Sequence, residues 1–240
     1  TLSHEEHAQV VEFVVRQVKG RIKVIAGAGS NSYREALRLT RHAQEVGADG
    51  ALVITPYYTK PTQRGMIEHF TKLARETAVP LVLYNVPGRT GVNLEPATVA
   101  RLSEVPRIVA IKEASGSVDQ TNMILSLCSI AVLSGDDMLT LPIMSVGGKG
   151  VISVIANVAP REVSQMVRAG MEGRWEEARE LHFRLYQLFK ALFIETNPIP
   201  VKTALSLMGK VREEFRLPLC PLAPENREKL VKVLTNYKLV

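Results

Sequence analysis

Apolar residues along this chain fall in short unbroken runs that alternate with stretches of helical period. The runs at 22–26, 51–55, 81–85, 108–112, 131–134 and 150–154 are rich in β-branched residues and lack polar alternation. Parallel strands covered on both faces read this way. The amphipathic stretches predict helices, the first over residues 1–19, and several begin on a start signal. Ser3-x-x-Glu6, Ser32-x-x-Glu35 and Ser117-x-x-Gln120 fit capping boxes, while Asp136 or Asp137 is placed to cap a helix through Leu141. Past Val154 the period is helical throughout, over 162–169, 175–193, 201–207 and 225–239, with proline-rich joints at 197–200 and 217–221.

A βα repeat leaves two main architectures, an open doubly wound sheet or a closed (βα)₈ barrel. The phosphate-binding glycine pattern of the first is absent. Ala26-Gly-Ala-Gly-Ser-Asn31 comes nearest and lacks the third glycine. Polar and reactive residues gather instead at the C-terminal ends of several strands: Tyr57, Tyr58, Tyr84, Lys112, Gly135, Asp136 and Ser153. Barrel active sites are built there. The expected fold is therefore α/β, with a partial (βα)₈ barrel, its last six strands, over 1–158 and the final barrel helix plus a helical extension over 159–240. Six strands are visible where a barrel needs eight, and a helix opens the chain.

Composition narrows the function classes. A chain of 240 residues with 46% apolar content buries a full core, and its apolar runs are far too short to span a bilayer. No basic, apolar and small-residue leader opens it, which reads as cytoplasmic. The net charge of +6 is scattered singly over helices, and aromatics are 5% of residues. No nucleic-acid or membrane partner is expected. Cys128 and Cys220 are too few for a disulfide framework. His4-x-x-His7 has no third ligand spaced to join it, so no metal is expected.

Three residues carry candidate chemistry. Lys112 ends a buried strand, and burial disfavours an ammonium, so its amine is disposed to attack a carbonyl. One strand earlier, Tyr84-Asn-Val-Pro-Gly-Arg-Thr-Gly91 puts a phenol and a guanidinium at the same level. An amine, a proton-relaying phenol and a carboxylate clamp suit imine chemistry on a keto acid.

These motifs resemble the dihydrodipicolinate synthases, members of the pyruvate-dependent class I aldolase superfamily. The resemblance also includes Ile54-Thr-Pro-Tyr-Tyr58, Ile111-Lys-Glu-Ala114, Leu133-Ser-Gly-Asp-Asp137, Gly150-Val-Ile-Ser153 and Asn197-Pro-Ile-Pro-Val-Lys202. It implies a (βα)₈ barrel with a C-terminal helical appendage, and a cofactor-free lyase of lysine (diaminopimelate) biosynthesis. Lys112 would form a Schiff base with pyruvate, and Tyr84 would pass protons. Arg89 would hold the carboxylate of (S)-aspartate 4-semialdehyde, while Gly135 and the backbone at Ile152 would line the pyruvate pocket. Tyr58 would reach across a tight dimer interface within a homotetramer, a dimer of dimers. His4, His7, Gly29, Asn31, Glu35 and Tyr57 match the pattern of members feedback-inhibited by lysine. A sister aldolase acting on sialic or keto-deoxy sugar acids is the nearest alternative, and Arg89 argues against it. A non-catalytic lysine-binding barrel is the other. The family's glycine- and threonine-rich loop would lie before Thr1. The expectation is therefore a fragment of a longer active enzyme, or a polypeptide missing the middle of its proton relay.

Overall fold

The computed structural model describes residues 1–240. Helix α1 (His4–Val18) opens on the expected capping box, in which the Ser3 hydroxyl accepts from the Glu6 amide and the Glu6 carboxylate from the Ser3 amide. Four βα steps and a fifth strand follow. Strand β1 (Ile25–Gly27) leads to α2 (Tyr33–Glu45), and β2 (Gly50–Ile54) to α3 (Gln63–Glu76). Strand β3 (Leu81–Asn85) leads to the single turn α4 (Pro87–Thr90) and α5 (Pro96–Ser103). Strand β4 (Ile108–Glu113) precedes α6 (Val118–Leu127), and β5 (Ala131–Ser134) is the last strand.

All five strands pair in parallel, in the order β1-β2-β3-β4-β5. Consecutive order belongs to barrels, because a doubly wound sheet reverses at its switch point. Leu81, Leu83, Ile111 and Val132 are fully buried in this sheet, and Phe70, Leu73 and Leu102 bury the helices' apolar faces. A register shift beside Leu81/Val82 leaves Val109 out of the ladder and 48% exposed. It is the extra residue of a bulge, and the pairing beyond it is set by it.

The chain divides into two compact units. One holds Leu2–Gly135 and Val146–Lys149, the other Thr1, Asp136–Ser145 and Gly150–Val240. In the second unit lie α7 (Thr140–Ser145), a 3₁₀ turn (Ile155–Asn157), α8 (Pro160–Met171), α9 (Trp175–Ala191), α10 (Ile199–Leu207) and α11 (Pro224–Asn236). The 3₁₀ turn and α8–α11 pack around Leu185, Leu188, Phe189, Leu192, Leu230 and Leu234, while Leu141 of α7 packs on Ala169 and Ala178. No helix is long and apolar enough to cross a membrane.

Four expectations are corrected. Residues 150–154 form a lone bridge at Val151 and no strand. The Asp137 carboxylate takes the amides of Val154 and Ile155, and the Ser153 hydroxyl takes that of Ala156, which turns the chain into the 3₁₀ helix. The first strand begins at Ile25 rather than Ile22, because Asp49 holds Lys23 and the Val24 amide just ahead of it. Ser32 makes no side-chain cap. Its partner Glu35 bonds the Ser30 hydroxyl and His4 instead. Ser117 does cap the Gln120 amide, but the Gln120 side chain turns inward to Glu113 and Asn93. At the fourth signal Asp136 is the cap, accepting from the Met138 and Leu139 amides.

His69 packs edge-on between Tyr33 and Phe70, its Nε2 buried without a partner. Burial pulls its pKa below the ordinary histidine value, and burial does the same to His182. A depressed folded-state pKa contributes stability above the unfolded value near 6.5 that is lost as pH falls through the folded one. Thermal unfolding at pH 7 and pH 5 will show a lower Tm in acid. His69→Leu will shrink that difference, with His182 supplying the remainder. An unchanged difference would contradict the account.

Candidate active site

Strand pairing assembles the site. In a parallel pair, residues in register project to one face, and β3 and β4 pair with Tyr84 opposite Lys112. The Lys112 Nζ stands 4.0 Å from the centroid of the Tyr84 ring, over its face. Both side chains are half-buried. Burial pushes the Tyr84 phenol above its ordinary pKa and the positive charge of Arg89 pulls it back. The phenol therefore keeps its proton at neutral pH and is a donor.

Arg89 rides on α4, directly after β3, and is exposed. Its turn is held at several points. Buried Thr90 shares a hydroxyl–hydroxyl bond of 3.3 Å with Thr55 at the end of β2 and donates to the carbonyls of Val86 and Val92. Gly135 follows β5, and its amide donates to the Glu113 carbonyl at 2.7 Å. A Cβ there would lie 2.5 Å from the Ala114 Cβ and 3.0 Å from the Lys112 Cε. Only glycine leaves room for the lysine stem. Ile152 is half-buried, between Val151 and the Ser153 that caps the 3₁₀ turn. Two residues after Gly135, Asp137 is 3% exposed. Burial raises its pKa against the Ser153 hydroxyl and the Ile155 and Val154 amides.

Tyr57 and Tyr58 lie beyond the end of β2. Tyr58 is 88% exposed, with φ +67° and its amide bonded to the Thr90 carbonyl. A bulky side chain in the left-handed region is costly and uncommon. The residue is thus tied by its backbone to the Arg89 turn while its ring stands in solvent.

A second cluster collects the remaining candidates. His4 bonds Glu35 at 3.1 Å, the His7 Nε2 donates to the Gly27 carbonyl at 2.8 Å, and the Asn31 amide donates to the Tyr57 carbonyl at 3.3 Å. Gly29 abuts β2 so closely that a Cβ would sit 2.3 Å from the Ile54 nitrogen. No three His, Cys, Asp or Glu side chains are grouped as a metal would need.

Sequence reasoning missed the polar layer behind the site. Asn85 and Glu113, each one residue past Tyr84 and Lys112, are 0% and 1% exposed and bonded to each other at 3.0 Å. Polar residues at the buried ends of two otherwise apolar strands were the available signal.

The family model described as "Dihydrodipicolinate synthetase family" matches residues 1–237. A 4-hydroxy-tetrahydrodipicolinate synthase of Geotalea daltonii is 56% identical over all of this chain and 83% of its own length. A chloride-inhibited dihydrodipicolinate synthase from Acinetobacter baumannii, solved with pyruvate, superposes with a TM-score of 0.98 at 45% identity. That match covers 100% of this chain and 83% of the other. The enzyme of Cyanidioschyzon merolae, solved with lysine bound, gives 0.97 at 41% identity, again over 100% and 83%.

Gly135→Ala will destabilise the chain by about 1–3 kcal/mol, the usual cost of forcing a methyl into a filled space. Urea denaturation reads this, and unchanged stability would contradict the close approach of Gly135 to Lys112.

Proposed function

The chain belongs to the dihydrodipicolinate synthetase family, and on that premise we propose that it condenses pyruvate with (S)-aspartate 4-semialdehyde through an imine on Lys112. The observation that carries this reading is the Lys112 nitrogen set 4.0 Å over the face of the Tyr84 ring. The neutral amine attacks the pyruvate keto carbon, forming a C–N bond as the carbonyl oxygen takes a proton. That hydroxyl then leaves as water, with a proton supplied by the phenol, whose burial keeps it protonated. The imine makes the methyl group acidic. A methyl proton passes to the phenolate left at Tyr84, and the resulting enamine carbon attacks the aldehyde carbon, whose oxygen takes that proton as the C–C bond forms. The amino group of the semialdehyde then adds to the imine carbon and expels the Lys112 amine, which returns to its starting state.

Arg89 receives the carboxylate of the incoming aldehyde. A planar guanidinium does this with two parallel hydrogen bonds, which a lysine cannot reproduce. Gly135, by leaving room beside the Lys112 stem, borders the space for pyruvate. Tyr58, exposed and strained beside the Arg89 turn, extends the proton path in a neighbouring copy of the chain. The chemistry needs no cofactor, since the lysine itself is the electron-sink-forming group.

Lysine, in this reading, is taken up as an inhibitor by His4, His7, Gly29, Asn31, Glu35 and Tyr57. Glu35 supplies the carboxylate that meets its ammonium, giving up His4. Self-association into a dimer of dimers is supported by an apolar groove of about 530 Å³ lined by Leu141, Pro142, Trp175, Arg179, His182 and Phe183. Phe183 is 71% exposed there, and Met123 and Leu127 are half-exposed on α6. Monomers seldom leave large apolar patches in water.

Borohydride reduction with pyruvate will add one reduced adduct on the Lys112 peptide, and Lys112→Arg will abolish it. Tyr84→Phe will slow turnover by about 10²-fold, the scale of lost acid–base assistance. Absence of the adduct would defeat the reading. In sedimentation velocity, Phe183→Glu will give a smaller species than the wild-type chain. A wild-type monomer at micromolar concentration would remove the assembly.

A further inference from the structure

Alternation along β3 and β4 sends Tyr84 and Lys112 to one face of the sheet and Asn85 and Glu113 to the other. On that second face four side chains share a closed set of hydrogen bonds. The Asn85 amide nitrogen donates to Asn93 at 2.8 Å and to Glu113 at 3.0 Å. The Gln120 amide nitrogen donates to Glu113 at 3.0 Å and to Asn93 at 3.2 Å. The Asn93 amide nitrogen returns a bond to Gln120 at 2.8 Å. The second Glu113 oxygen accepts the Ser115 amide at 2.6 Å, and the Asn85 carbonyl oxygen accepts the Leu94 amide at 2.9 Å.

The arithmetic of donors and acceptors shows what this arrangement requires. Both protons of the Asn85 amide and both of the Gln120 amide are used. Glu113 receives three donors and, as a carboxylate, offers only acceptors. A glutamine in its place would turn an N–H toward another N–H in either flip. Low-dielectric surroundings make such a mismatch costly and a complete set rigid.

The members lie on or beside the two strands that carry Tyr84 and Lys112. Asn85 and Glu113 follow Tyr84 and Lys112 on adjoining strands. Asn93 sits at the far end of the loop whose other end is the Arg89 turn, and the Gln63 side chain anchors the Asn93 carbonyl from α3 at 2.8 Å. Gln120 opens α6. We propose that Glu113, with Asn85, Asn93 and Gln120, is a positioning network that fixes Lys112 against Tyr84 and sets the Arg89 turn at its working height. The inference rests on the reading of Lys112 as the imine-forming residue. None of the four touches the reacting atoms; they act through the residues beside them.

The network has two halves that separate experimentally. Glu113→Gln disturbs the strand pair, and Asn93→Ala releases the Arg89 loop while leaving Glu113 bonded to Asn85 and Gln120. Each variant is assayed beside the wild-type chain, with rates normalised to the pyruvate trapped by borohydride, so that misfolded molecules do not count. Glu113→Gln will slow imine formation at saturating pyruvate about tenfold. Asn93→Ala will leave that rate within about twofold and raise the KM for the semialdehyde about tenfold. A merely structural role lowers Tm and the trapped amount but leaves both normalised constants at wild-type values, and that result overturns the proposal. Should Glu113→Gln fail to fold, the KM split in Asn93→Ala and the imine rate in Gln120→Ala decide it in the same way. A wild-type chain that traps no pyruvate on Lys112 overturns the site reading and this inference together. Trapping with unaltered variants overturns the network alone.

Discussion

When parallel strands pair, residues in register share a face, and β3 and β4 pair with Tyr84 opposite Lys112 and Asn85 opposite Glu113. A slip of one residue would exchange the faces of every side chain on one strand. The amine would then look into the helix layer, and a buried carboxylate would take its place beside the phenol. The register itself depends on one residue. Counting on from the Leu81–Ile108 pair without a bulge would bring Tyr84 opposite Ile111. Val109, left outside the ladder and half-exposed, supplies the step that brings Lys112 into place.

Several features follow from that placement. The lysine stem needs space, and Gly135 on the neighbouring strand end is the residue that leaves it. The Arg89 turn must stand beside the pair, and Thr90 and Asn93 tie it down on either side. Burial keeps the Tyr84 phenol protonated, while Arg89 limits the shift. The polar layer behind the sheet carries a carboxylate at 1% exposure, an expensive choice in a core unless every acceptor is filled. It is filled on three sides, by Asn85, Gln120 and Ser115.

Much of this was legible in the residues alone. Continuous β-branched runs identified five parallel strands, and the helices after Val154 fall where their period puts them. Tyr84, Arg89 and Lys112 were singled out from strand-end position and chemistry, and they lie on adjoining strand ends. What the pattern did not carry is pairing that depends on distant residues. Gly150–Val154 has the composition of a strand, yet Asp137, far back in the chain, claims its amides. Ser32 and Glu35 have the spacing of a capping box, but Ser30 and His4 compete for the carboxylate and win. Asn85 and Glu113 look like ordinary polar strand ends, because their meaning lies in Asn93 and Gln120, which only the fold brings near.

The geometry of the lysine and the ring is open to direct measurement by NMR on a chain carrying ¹³C at the lysine ε position. A nitrogen 4.0 Å above the Tyr84 centroid holds its neighbouring methylene in the shielding cone of the ring. The account predicts one lysine ε signal displaced upfield, lost in both Lys112→Arg and Tyr84→Leu, and moved when pyruvate is added. Lysine ε signals that all lie at unperturbed positions, and stay there with pyruvate, would contradict it.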